Sequence, residues 1–98
     1  MKKEIKNSKQ HVTNIVDRRL LRLIDLLIYQ NKISTLGNFS DIIGMKQQNI
    51  SKIKKGETHF TVGHIENICH KFNVNANWIF GLEKKVFNMP GSVEITDF

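Results

Sequence analysis

Residues 39–56 read FSDIIGMKQQNISKIKKG, a pattern of two short helices joined at a tight turn. Phe39, Ile42 and Ile43 are spaced by three and four, which places them on one helical face. Gly44 follows at once, and glycine ends a helix cheaply because it enters the left-handed region without a Cβ clash. Met45, Ile50 and Ile53 then mark the inner face of a second helix. Its other positions are Gln47, Gln48, Asn49, Ser51, Lys52, Lys54 and Lys55, rich in donors and free of acids. A structural surface helix normally mixes both charge signs, for solubility and for i,i+4 pairing. Amides and cations without acids suit a surface that faces phosphates and base edges.

Working outward, the 98 residues make one small domain with room for a single core without metal or disulfide support. The formal charge is +6 and the pI about 9.7, a balance that favours a polyanionic partner or an anionic membrane surface. The single cysteine makes no internal disulfide, which fits a reducing cytoplasm. No apolar run approaches the roughly 18 residues needed to span a bilayer. The basic start MKKEIKNSKQ lacks a small-residue cleavage site behind it, and Arg22 and Asp25 interrupt the apolar run 20–28; no signal peptide is expected. A soluble, cytoplasmic protein is expected.

Residues 1–12 are polar and lysine-rich, either a solvated tail or a basic arm along a DNA groove. Thr13 or Asn14 can cap a first helix reaching to about Gln30. Val16, Leu20, Leu23, Ile24 and Leu27 share its inner face, and Leu21, Leu26 and Ile28 widen the apolar sector. That width fits a helix wedged among several others, or one edge meeting a second subunit. Ser34 or Thr35 opens the second helix, with Gly37 weakening its first turn. After the loop 56–61, Thr61 is the expected cap of a fourth helix, and Phe60 and Ile65 stand at staple positions. Val62, Ile65, Ile68, Cys69 and Phe72 are its expected inner face. Residues 73–75 break it, and Ala76, Trp78, Ile79 and Phe80 form a last apolar turn closed by Gly81. Five helices with short connections predict an all-α domain over residues 13–82. Residues 83–98 form a tail with the breaker pair Pro90-Gly91 and an alternating, strand-like run at Val93 and Ile95, expected to be a loose end, an edge used in dimerisation, or the start of a linker.

With F-S-D-I-I-G before the turn, Q-Q-N-I-S-K-I-K-K-G after it, then F-T-V-G-H-I-E-N-I-C-H-K-F and N-W-I-F-G, residues 16–87 resemble a helix-turn-helix domain of the XRE/phage-repressor family. The resemblance implies a five-helix lambda-repressor-like fold whose third helix enters the major groove. It implies that Gln47 and Gln48 read bases, with Ser51 and Lys52 one turn further along the same face, and that Trp78 is a core residue. Three positions depart from the family pattern. Lys46 stands where Ser or Thr usually caps the recognition helix, and lysine accepts no N–H. Thr35 and the residues after it replace a phosphate-binding glutamine. Lys54 replaces an acid that in relatives makes an internal ion pair.

A glutamine amide offers a donor and an acceptor side by side, which matches adenine N6 and N7; Lys52 suits guanine O6 and N7 or a nearby phosphate. Lys54, Lys55, Thr58 and His59 follow the helix where a flanking phosphate would run, and Thr35, Lys46 and Asn49 sit where phosphates would flank its start. The expected partner is double-stranded DNA with a palindromic operator, bound by a homodimer, as in a transcriptional regulator of the repressor type. No membrane partner, small-molecule ligand, cofactor or metal is implied. His64, Cys69 and His70 lack the spacing of a metal site, and no P-loop, nucleophile elbow or paired carboxylates point to an enzyme. The competing reading is an antitoxin-like or adaptor protein-binding module, carried by the wide apolar sector of the first helix and the tail beyond Pro90.

Overall fold

The computed structural model describes residues 14–96; the basic arm expected at residues 1–12, Thr13 and the last two residues lie outside that range. Five helices follow in order: α1 (Ile15–Tyr29), α2 (Leu36–Ile43), α3 (Gln47–Lys54), α4 (Val62–Phe72) and α5 (Ala76–Ile79). The architecture is all-α.

Asn14 caps α1, its side chain accepting from Asp17 N at 2.7 Å. Leu20, Leu23, Ile24 and Leu27 are all buried on one face, as their spacing predicts. Leu21 and Leu26 pack half-buried against the same core, so most of the widened sector is a wedge among helices; Ile28 and Tyr29 face solvent. Asn31, at φ 61°, turns the chain toward α2, whose cap is Thr35, accepting from Asn38 N at 3.0 Å. Gly44 ends α2 at φ 75°. The carbonyl of Ile43, orphaned by that ending, accepts from Asn67 Nδ2 of α4 at 3.1 Å. The rings of Phe39 and Phe72 stack 5.9 Å apart and join α2 to α4.

Within α4, Ile68 is fully buried, and Ile65, Cys69 and Phe72 are partly buried against the core. Val62 departs from its expected inner-face place and is 82% exposed. Phe60, just before the cap, is buried at the start of α4 and leaves the first helical position to solvent. The last apolar turn is shorter than expected too. Trp78 and Ile79 are buried, but Ala76, the first residue of α5, is exposed, and so is Phe80, because α5 stops at Ile79 and Gly81 turns the chain away at φ 81°. A Cβ at Gly81 would lie 2.6 Å from Ile15 Cδ1, so both its backbone angle and its contact with α1 favour glycine.

The tail is packed rather than loose. Val86 and Phe87 belong to the core, Asn75 N donates to Val86 O at 2.8 Å, and the Trp78 indole N–H donates to Ile95 O at 2.8 Å. Lys32 Nζ lies 4.2 Å from the centre of the Phe87 ring, tying the α1–α2 turn to the tail. Instead of a strand, the described residues of the tail form two isolated antiparallel bridges, Val74 with Phe87 and Lys85 with Glu94. A strand needs one face to bury, and Val93, which should share the inward side with Ile95, is 37% exposed. Among the described residues no helix is long and apolar enough to cross a membrane.

Candidate nucleic-acid interface

The site is built on α3, which is seated by Ile50 and Ile53, both fully buried, and by Met45 just before it. Every other α3 residue is exposed except Asn49, which is half-buried. Gln47, Gln48 and Ser51 together line one shallow groove on the outer face. Lys52, grouped with them in the sequence, turns to a second concavity, which it lines with Asn49, Thr58 and His59. One expected base reader thus stands among three residues expected to meet phosphate. Lys46, Lys54 and Lys55 are exposed and line neither hollow. Thr35 is exposed, but its hydroxyl oxygen is already engaged in capping α2.

No acid lies between Lys46 and Lys55; Glu57 is the next one, on the rim of the second concavity. Lys52 and Lys54 fall in the last turn of α3, where the helix dipole favours cations. At its start Lys46 makes no side-chain capping bond; its backbone carbonyl accepts from Asn49 N at 2.9 Å, but its side chain offers the first N–H groups of α3 no acceptor. That agrees with the lost cap expected at this position.

The loop from α3 to α4 is held by a group that sequence reasoning missed. The Asp17 side chain is 3% exposed. Its Oδ1 accepts from Phe60 N at 3.0 Å, and its Oδ2 accepts from Asn14 Nδ2 at 3.0 Å and meets His59 Nδ1 at 2.6 Å. A buried carboxylate is stable only when its lone pairs are filled in this way. The His59 ring is therefore oriented through Nδ1, and it remains largely exposed beside Thr58 and Lys52. An Asn and an Asp three apart signal a helix start; nothing in their spacing signals a partner 42 residues away.

On the far side of the loop, Thr61 and His64 cap α4 reciprocally. Thr61 Oγ1 accepts from His64 N at 3.2 Å, and His64 Nδ1 accepts from Thr61 N at 3.0 Å. Nδ1 accepts only while the ring is neutral, and burial lowers the His64 pKa from its ordinary value. Burial likewise raises the Cys69 thiol pKa, which leaves it a poor nucleophile. Arg19 is buried against α5, donating from Nη1 to Trp78 O at 2.6 Å with its guanidinium 5.2 Å from the indole centre. Its pKa is lowered by desolvation and by nearby Arg18. Among the described residues no three His, Cys, Asp or Glu side chains gather to hold a metal ion. No protein-family model, curated protein or solved structure matches the chain.

Proposed function

We propose that this chain binds double-stranded DNA sequence-specifically, as a lambda-repressor-like helix-turn-helix transcriptional regulator of the repressor type acting in the cytoplasm. One observation carries the reading. The helix after the Gly44 turn is anchored by Ile50 and Ile53 and presents Gln47, Gln48, Ser51 and Lys52 to solvent with no acid among them. A helix of this width fits the major groove, where the amides of Gln47 and Gln48 match adenine and each good contact supplies ~1–3 kcal/mol of discrimination. Lys52 reaches a guanine or, given its company with Asn49, Thr58 and His59, the phosphate beside it. Lys46, Lys54 and Lys55 supply sequence-independent attraction.

One domain of this size covers few base pairs, so the proposed complex is a homodimer on a palindrome with half-sites about one helical turn apart. The rival is a protein-binding adaptor, for which the exposed Tyr29, Val62 and Leu82 would be contact points. Titration of duplex DNA at several salt concentrations separates the two. If six phosphates are neutralised, the logarithm of affinity falls with that of salt at a slope of about −5. Weak binding with no slope would favour the adaptor.

A further inference from the structure

We infer that Gly37, on the neighbouring helix, is a specificity-determining position, because the space left by its missing side chain seats the amide of Gln47. The inference deepens the DNA-binding reading and rests on it. Gly37 is the second residue of α2, where glycine weakens a helix relative to alanine. Its backbone gives no reason for that weakness. Gly44, Gly56, Gly81 and Gly91 have positive φ, and Gly37 does not, so any L-residue could adopt its conformation.

The reason lies in space. A Cβ at Gly37 would stand 3.2 Å from Gln47 Oε1 and 3.8 Å from Thr35 Oγ1. The first distance is tighter than ordinary contact, so a methyl group there moves the amide by a few tenths of an ångström. Gln47 is the first residue of α3, exposed, and a glutamine free in solvent loses rotamer entropy when it is fixed on a base. Leaning on the first turn of α2, it is held before DNA arrives. A bidentate contact with adenine needs the amide oxygen and nitrogen placed together, and a shift at Oε1 misplaces both. Gln48 lines the same groove but is not among the atoms nearest to that Cβ, so its base pair is unaffected.

Selection from a random duplex pool tests this with the wild-type chain, Gly37→Ala, Gln47→Ala and the double variant. Gly37→Ala is expected to lower the preference at one base pair by roughly tenfold, the size of one weakened base contact, with other positions unchanged and a melting temperature no lower than wild type. In the Gln47→Ala background the same change is expected to have no further effect. An unchanged preference in Gly37→Ala, or an equal change in both backgrounds, overturns the inference and leaves DNA recognition standing. A wild-type chain that enriches no duplex refutes the DNA reading and this inference with it.

Discussion

At the start of α4, Thr61 and His64 satisfy each other's backbone N–H groups; at the start of α3, Lys46 offers no side-chain acceptor. The two helices lie seven residues apart in the chain and share one core, yet one is closed at its N-terminus and the other is left open. The closed start belongs to a helix whose work is packing, joined to α2 through Phe72 and Asn67. The open start belongs to the helix that carries the amide pair. A missing cap costs about 0.5–2 kcal/mol, and breaking a local rule of this kind is characteristic of functional sites. On the proposed reading, Lys46 gives up a cap in favour of a cation at the DNA backbone.

The largest change is expected where the loop between the two starts is anchored. Asp17→Ala leaves the N–H of Phe60 buried without its acceptor, which costs ~1–3 kcal/mol; for a domain of this size the melting temperature should fall by about 4–8 °C per kcal/mol. A calorimetric melt equal to wild type would mean the anchor carries no stability. Next in size is Lys46→Asp, which should stabilise the fold by ~0.5–2 kcal/mol through a new cap and yet weaken duplex binding by about tenfold at low salt. A variant both more stable and equally tight would remove the proposed trade at the open start.

Thr61→Ala should cost about 1 kcal/mol in chemical denaturation and leave the base preference set by Gln47 and Gln48 as it was, since Thr61 lines the hollow of Lys52, Thr58 and His59 and not the groove of the amide pair. The smallest effect is a pH dependence at His64. Its folded pKa lies below the ordinary 6.5, so just below that pH the unfolded chain binds more protons than the folded one. Its contribution to stability is therefore full above about 6.5 and is lost as pH falls through the lowered folded value. Urea midpoints of wild type and His64→Ala should converge toward acid; a constant gap would show that the ring's neutrality does not matter.

What could be read from the residues was local and periodic. The inner face of α1, the Gly44 turn, the buried Ile50 and Ile53 and the weak start at Lys46 all follow from spacing or from the chemistry of one side chain. Errors came where a neighbour in space decided the outcome. Val62 has the right period for the core, but Phe60 is buried beside it at the start of α4; Phe80 continues the apolar run past the end of α5 at Ile79. The tail looked detachable because its partners, Asn75 and Trp78, lie on the other side of a loop. The Asp17–His59 link was invisible for the same reason, and so was the parting of Lys52 from Ser51, which depends on where the α3–α4 loop comes to rest.

The outward side of α3 is tested most directly by comparing Gln48→Ala with Lys55→Ala on a selected duplex and on random DNA, measured side by side at fixed salt. The account predicts that Gln48→Ala loses preference at a single base pair and binds random DNA as before, while Lys55→Ala weakens both duplexes by the same factor. Identical behaviour of the two variants on both duplexes would contradict it.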